Sequence, residues 1–145
     1  MITIEEAIEY VESNSQPGRN TVKISLKNAL GFVLAEDVMS PIDMPPFRQS
    51  AMDGYAVRAH DSEFYQVKGE LQAGDGNDVT LQKGEAVRIF TGAPVPNDAN
   101  AVVIQEKTTI KEKELEVHDE VTVQSNIRPK GEQIQKGEMA LGKGI

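Results

Sequence analysis

The sequence predicts a mainly β protein, a bifurcated or barrel-like domain of short strands with an arm helix at its N-terminal end. Short apolar runs separated by glycine-containing turns predict the strands, and a single amphipathic stripe near the N-terminus predicts the helix. The chain has 145 residues, about the size of one domain, and its hydrophobic content of 39% is enough for a core.

The helix is predicted from Thr3 to Asn14, where Thr3 and Glu6 stand at the spacing of a capping box. Apolar residues then recur at helical spacing: Ile4, Ala7, Ile8 and Val11. Because this stripe is narrow, it is typical of a helix that docks as an arm rather than one inside a core. Proline and glycine in the segment from Ser15 to Gly18 predict the end of the helix.

Strands are predicted along most of the remaining chain. Val22 to Leu26 and Phe32 to Val38 come first, with a turn of helix between them that Gly31 closes. Seven further strands are predicted at Phe64–Leu71, Val79–Leu81, Ala86–Phe90, Ala101–Ile104, Thr108–Ile110, Leu115–Val117 and Val121–Val123.

Turns and charge patterns organise these strands. The clearest turns are Asp75-Gly76 and Lys83-Gly84. Residues 101–104 form the only continuous apolar run and are predicted to be the most buried strand. The charged segment from Lys107 to Glu120 is typical of a solvated hairpin.

Composition excludes several classes of protein and site. The chain has no cysteine, which excludes disulfides and thiolate metal sites, and His60 and His118 are too isolated for a zinc pair. Any metal site is therefore expected to be hard and oxygen-bound. The net charge of -8 argues against a nucleic-acid partner. With no apolar run near the ~20 residues of a membrane helix and no signal-peptide pattern, we expect a cytoplasmic protein with no membrane partner.

Asp53 is the first candidate functional residue, because it precedes Gly54 after a lead-in that Pro45 and Pro46 stiffen. Asp-Gly is also a strong turn signal, so one alternative is a plain hairpin turn. A second alternative is a capping box, because Ser50 and Asp53 have the required spacing.

Three further segments carry groups that suit an anion or a metal. Thr91 to Pro96 combines a hydroxyl, an approachable glycine and prolines, as in an anion cradle, although a rigid connector is the alternative. Glu106 ends the buried run, where it could present a carboxylate or be an ordinary surface glutamate. Arg128 and Lys130 lie on a turn that could hold phosphate or be a polar loop.

Three blocks stand in order along the chain: Pro45-Pro46-Phe47 followed by Ser50 to Val57, Arg88 to Pro96 leading into Ala101 to Glu106, and Asn126 to Glu132. Together they resemble the molybdopterin molybdenumtransferases, the family of bacterial MoeA and of the gephyrin E region. The resemblance covers nearly the whole chain but only the N-terminal third or so of a typical member, so more chain is expected after Ile145.

The resemblance implies a domain organisation and partners. Residues 1–21 would be the helix of an elongated arm, residues 22–135 a substrate-facing β domain, and residues 136–145 the start of a return segment to the arm. The full-length protein would form a homodimer and would receive its pterin substrate from another enzyme of the same pathway.

The resemblance also implies a reaction. Members of the family insert molybdenum from molybdate into adenylylated molybdopterin, and they release AMP with magnesium present. By motif, Asp53, Thr91 and Glu106 are the implied catalytic residues. Asp53 and Glu106 are the implied Mg²⁺ ligands, because magnesium prefers carboxylate oxygen.

Substrate binding is implied for a second set of residues, namely Ser50, Gly92, Arg128 and Lys130. Two positions depart from the family pattern. Arg48-Gln49 stands where many members carry an acidic or amide pair, and Gln133 stands where an aspartate is common. The second departure weakens any magnesium role for that loop.

The alternative function is a non-catalytic scaffold or interaction module, because the gephyrin branch also clusters receptors. The polar residues favour the enzyme. A scaffold has no chemical reason to keep Asp53, Thr91 and Glu106 on three rigid loops.

Overall fold

The computed structural model describes three stretches of the chain, residues 2–15, 20–74 and 79–145. The chain forms two compact units, one of Met1–Asp37 with Gly142–Ile145 and one of Val38–Leu141. The breaks between the units fall later than the predicted bounds at residues 21 and 135, because residues 38–39 pair with residues 139–141 inside the second unit. The predicted roles of these segments, an arm and a substrate-facing domain, stay predictions.

The first unit begins with helix α1 (Ile4–Asn14), which confirms the predicted helix. Its capping box is formed: Thr3 Oγ1 accepts a hydrogen bond from the Glu6 N–H at 3.1 Å, and Glu6 Oε2 accepts one from the Thr3 N–H at 2.8 Å. The predicted stop includes residues 16–18, which lie outside the described residues. No helix in the described stretches has the length and apolar character needed to span a bilayer.

The two strands predicted in the first unit are wrong. Val22 to Leu26 is irregular up to a short 3-10 turn at Leu26–Asn28, and Phe32 to Val38 is irregular until its last residue. The alternation of apolar residues suggested strands, but within the described part of this unit no strand pairs with either segment. Val22 is 65% exposed and Leu26 is 90% exposed, so their apolar side chains do not face a sheet core.

The second unit is built on a six-stranded sheet and two short strand pairs, which confirms the mainly β class. Its strands are β1 (Val38–Met39), β2 (Gln49–Ser50), β3 (Gly54–Val57), β4 (Phe64–Leu71), β5 (Glu85–Ile89), β6 (Ala101–Ile104), β7 (Thr108–Lys111), β8 (Glu114–Val117), β9 (Ile127–Arg128) and β10 (Met139–Leu141). The large sheet has the order β6-β3-β5-β4-β8-β7, and only β4 and β5 are parallel neighbours. The short pairs are β1 with β10 and β2 with β9.

Most strands predicted in this unit are confirmed, and two are wrong. β4 and β6 have the predicted bounds, and β7 and β8 form the predicted charged hairpin. Val79 to Leu81 and Val121 to Val123 are not strands, although each packs an apolar side chain against the core. The turn predicted at Asp75-Gly76 lies outside the described residues.

β3 lies between β5 and β6 and was not predicted, although all four of its residues are buried. It is more completely buried than β6, where Ile104 is half-buried, so the prediction of β6 as the most buried strand is wrong. Side chains alternate between two core clusters, with Ala56, Val87 and Val102 in one and Tyr55, Ala86 and Val103 in the other. Both faces of the central strands are therefore covered. For this reason their sequences lack the alternation of apolar and polar residues that marks a half-exposed strand.

Gly54 explains why the Asp-Gly pair is not a turn. This glycine is extended at the start of β3, and a Cβ placed on it would lie 1.9 Å from the Val103 carbonyl oxygen. Glycine is needed here because the backbones of β3 and β6 approach closely. The hairpin-turn alternative for Asp53 is therefore wrong.

Candidate functional site

The loops before β3 and after β5 meet at one end of the large sheet. The two strands are antiparallel neighbours with Gly54 opposite Ile89, so the loop that ends at Asp53 lies beside the loop that follows β5. Thr91 donates two hydrogen bonds to Asp53 Oδ1, one from its N–H and one from its hydroxyl, each 2.7 Å long. Two of the predicted catalytic residues are therefore in direct contact, and we refer to them as the Asp53–Thr91 pair.

The backbone around Ser50 and Gly92 fixes this contact. The Gly92 N–H donates to the Ser50 carbonyl, and the Ser50 N–H donates to the Ala93 carbonyl, both at 2.9 Å. Gly92 has a φ of +87°, which glycine adopts without strain. The Ser50 side chain is buried, and its hydroxyl donates to the Met52 carbonyl at 2.6 Å. Ser50 thus shapes the loop from inside, and the capping-box alternative is wrong because no helix begins here.

Glu106 reaches the same end of the sheet through its neighbour Gln105. The Gln105 N–H donates to the Asp53 carbonyl at 3.1 Å, where β6 runs into a 3-10 turn at Gln105–Lys107. Glu106 is exposed, and its Oε1 accepts a long hydrogen bond of 3.5 Å from Gln105 Nε2. The three predicted catalytic residues therefore lie on adjoining segments, with Glu106 joined to the pair by backbone rather than by a side-chain contact.

Asp53 is held in its charged form. The hydrogen bond from the Thr91 hydroxyl lowers the Asp53 pKa most, the bond from the Thr91 N–H comes second, and the positive charge of Arg88 adds to the effect. Both bonds end on Oδ1, which leaves Oδ2 for a cation or a water molecule.

A magnesium ion would need more ligands than the protein supplies here. Within the stretches that the structure describes, no three His, Asp or Glu side chains converge closely enough to hold a metal. Magnesium commonly binds one or two carboxylates, with substrate phosphates and water completing its shell. Asp53 and Glu106 each carry a carboxylate of the kind that such an ion binds, and the substrate would supply further ligands.

The predicted basic pair lies on a separate loop. Arg128 ends β9, which pairs with β2 and so adjoins the segment that leads into the Asp53 loop. Lys130 Nζ forms an ion pair with Asp43 Oδ2 at 3.1 Å. Lys130 is therefore engaged by an acidic neighbour rather than placed at the Asp53–Thr91 pair.

Two residues that link these segments, Arg88 and Gln105, were not predicted. Arg88 Nη1 donates to the Gly54 carbonyl at 3.1 Å, and Nη2 donates to Gln105 Oε1 at 2.6 Å. A signal for Arg88 was present, because it is the only charged residue in the predicted strand from Ala86 to Phe90. No sequence signal marked Gln105, since polar residues commonly follow an apolar strand.

Thr91→Val is expected to raise the Asp53 pKa toward its ordinary value, because valine removes the hydroxyl bond but keeps the backbone N–H. The Asp53 pKa is lower in the folded protein than in the unfolded chain, where it is about 3.9. The wild-type carboxylate therefore stabilises the folded state at pH values above the unfolded pKa. This stabilisation is lost as the pH falls through the pKa of the folded state. The variant should lose its smaller contribution at a higher pH. Carbon-13 NMR titration measures the Asp53 pKa, and an unchanged value would contradict the role of the hydroxyl.

Comparison with known proteins places the chain in a family. The model of the MoeA N-terminal region, domains I and II, matches residues 2–145. The chain is 34% identical over 152 residues to the molybdopterin molybdenumtransferase of Staphylococcus epidermidis, and the match covers 99% of the chain and 36% of that protein. It is 37% identical over 147 residues to a putative molybdopterin biosynthesis protein of Methanocaldococcus jannaschii, with 99% and 35% covered. The chain thus spans about a third of the length of these curated relatives.

Solved structures show the same relationship. The crystal structure of the molybdopterin biosynthesis MoeA protein from Pyrococcus horikoshii OT3 matches with a TM-score of 0.86 and 35% identity, over 96% of this chain and 39% of that one. A second crystal structure, also of a molybdopterin biosynthesis MoeA protein from Pyrococcus horikoshii, matches with a TM-score of 0.76 and 34% identity, over 97% of this chain and 38% of that one. The chain belongs to the MoeA family and corresponds to its N-terminal region.

Proposed function

We propose that this chain is the N-terminal part of a molybdenumtransferase in molybdenum cofactor biosynthesis. The longer protein would insert molybdenum from molybdate into adenylylated molybdopterin and release AMP. The observation that carries the proposal is the Asp53–Thr91 pair, a charged carboxylate fixed between two rigid loops. The name of the Staphylococcus epidermidis relative, molybdopterin molybdenumtransferase, supports the same activity.

The acidic residues would serve the metal side of this reaction. Magnesium, when bound, would offset the charge of the substrate phosphates. Asp53 Oδ2 would orient the ion or one of its water molecules, and Glu106 would share this acidic role from the adjoining turn. Thr91 donates its hydroxyl proton to Asp53, so its first role is to fix the carboxylate. For Thr91 to donate a hydrogen bond to an anionic oxygen of the substrate as well, its hydroxyl would have to rotate away from Asp53.

The basic residues would serve the phosphate side. Arg128 and Lys130 would offset phosphate charge from the neighbouring loop. The Lys130 side chain is 59% exposed, and an ion pair at such a position contributes little, so exchanging Asp43 for a phosphate costs little. Gly92 would let the anion approach because it lacks a side chain, whereas its N–H is already bonded to Ser50.

We also propose the setting in which the longer protein works. It would act in the cytoplasm as a homodimer and receive its pterin substrate from the preceding enzyme of the pathway. The resemblance of the three sequence blocks supports these assignments. The net charge of -8 supports partners other than nucleic acid.

A bacterial strain that lacks its own molybdenumtransferase tests the proposed function. Expression of the full-length protein is expected to restore molybdoenzyme activity in that strain. Absence of restoration, with the protein present at the level of a complementing relative, would favour the non-catalytic scaffold of the gephyrin type.

The 145-residue chain alone is expected to release no AMP from adenylylated molybdopterin. Its candidate residues line one side of a site, and correct positioning of reacting groups is worth effective molarities of ~10⁵ M or more. Mixing the purified chain with substrate, molybdate and magnesium tests this. Turnover above a no-protein control, abolished by Asp53→Asn, would show that these residues form a complete site.

A further inference from the structure

Arg88 is the second-last residue of β5, a strand whose other side chains are mostly buried. It lies on β5 opposite Tyr55 and is itself half-buried. Its guanidinium stacks on two aromatic rings, 5.1 Å from the centroid of Tyr55 and 4.9 Å from that of Phe90. This stacking holds the group in one place, at the end of the sheet where the Asp53–Thr91 pair lies.

The guanidinium bridges two segments that are separate in sequence. Nη1 donates to the Gly54 carbonyl at 3.1 Å, and Nη2 donates to the Gln105 side-chain oxygen at 2.6 Å. One bond therefore ends on the residue that follows Asp53. The other ends on the residue that precedes Glu106.

Gln105 contacts both Arg88 and the Asp53 backbone. Its N–H donates to the Asp53 carbonyl at 3.1 Å. Two consecutive backbone carbonyls are thus bonded, that of Asp53 by the Gln105 N–H and that of Gly54 by Arg88. The backbone positions of Asp53 and Glu106 are both set by segments that Arg88 holds.

We propose that Arg88 is a positioning residue for metal insertion, fixing the spacing between the segments that carry Asp53 and Glu106 by bridging the Gly54 carbonyl and the Gln105 amide. This inference rests on the proposed function. Arg88 acts through its neighbours, because a direct role on substrate phosphate would require breaking the bonds that hold it.

The test uses the full-length protein with Arg88→Met, Arg88→Lys and Gln105→Met. Arg58→Met is the matched control, because Arg58 is exposed and makes no hydrogen bond or ion pair within the described part of the chain. Arg88→Met is expected to lower kcat for AMP release about 30-fold, since small misplacements of reacting groups cost rate steeply. KM for adenylylated molybdopterin should change less than about twofold, because Arg88 does not touch substrate in this arrangement.

The other variants separate positioning from general loss of structure. Arg88→Lys should recover part of kcat, because lysine keeps the charge, but its single nitrogen lacks the planar fork with which arginine bridges two acceptors. Combining Gln105→Met with Arg88→Met should cost little more than Arg88→Met alone, since both remove the same link. Additive losses, or a rise in KM with kcat unchanged, would overturn the proposal.

Amide hydrogen exchange gives a reading that does not depend on turnover. The Gln105 N–H should exchange about 10-fold faster in Arg88→Met and at the wild-type rate in Arg58→Met. Unchanged exchange in Arg88→Met would overturn the positioning role. A wild-type protein that releases no AMP would instead refute the proposed function, and exchange at Gln105 would then decide alone whether Arg88 holds this segment. If Arg88→Met unfolds, Gln105→Met and Arg88→Lys provide the same comparison.

Discussion

Asp53→Asn in the full-length protein is expected to abolish molybdenum cofactor formation and to leave the fold intact. Asparagine has nearly the same shape as aspartate, and its Oδ1 can accept both hydrogen bonds that Thr91 donates. The change therefore removes the negative charge and the ligand oxygen but not the contact. Loss of one preorganised electrostatic group typically costs a factor of ~10²–10³ in rate. The cofactor content of the complemented deletion strain measures this effect.

Asp98→Asn is the matched control for this prediction. Asp98 is exposed, and it makes no hydrogen bond or ion pair within the described stretches, so the substitution removes the same charge away from the Asp53–Thr91 pair. Its cofactor yield should equal that of wild type. A near-normal yield from Asp53→Asn would instead assign Asp53 a purely structural role in its loop.

Gly54→Ala is expected to destabilise the 145-residue chain by about 3 kcal/mol or more, because overpacking against fixed atoms is costly. The new Cβ would lie 1.9 Å from the Val103 carbonyl oxygen and 2.8 Å from its carbonyl carbon. Both are backbone atoms of a neighbouring strand, so no side-chain rotation relieves the clash. Urea denaturation followed by circular dichroism measures the free energy of unfolding.

Gly69→Ala separates this clash from the general effect of removing a glycine. Gly69 also lies in a strand, β4, but a Cβ placed on it would meet no atom within 4 Å. That variant should be as stable as wild type or slightly more stable, because alanine reduces the entropy of the unfolded chain. Equal unfolding free energies for the two variants would show that β3 and β6 can separate, and that the close approach is not essential.

The sequence predicted the strands that have a recognisable hydrophobic pattern. β4 alternates apolar and polar residues from Tyr65 to Lys68 and β6 is a continuous apolar run, and the structure gives both the predicted bounds. β1, β2 and β9 have two residues each, which is too short for any periodicity. β3 was missed because Asp-Gly normally marks a turn, whereas here the glycine serves a backbone contact that only the tertiary structure shows.

The sequence predicted residues of the candidate site but not the contacts that join them. Asp53 and Thr91 carry suitable groups on loops stiffened by proline, and the sequence singled out both. Their contact depends on the register of β3 against β5, which pairs Gly54 with Ile89 and which no local pattern specifies. The link through Arg88 could not be predicted for the same reason, because it joins three segments that meet only in the folded sheet.

AMP release from adenylylated molybdopterin by the purified full-length protein tests most directly whether the Asp53–Thr91 pair carries metal insertion. With molybdate and magnesium present, the wild-type protein and Asp98→Asn are predicted to release AMP at equal rates, and Asp53→Asn is predicted to remain at the level of a no-protein control. Release of AMP by Asp53→Asn at the wild-type rate, with the same dependence on molybdate and magnesium, would contradict the assignment of this site.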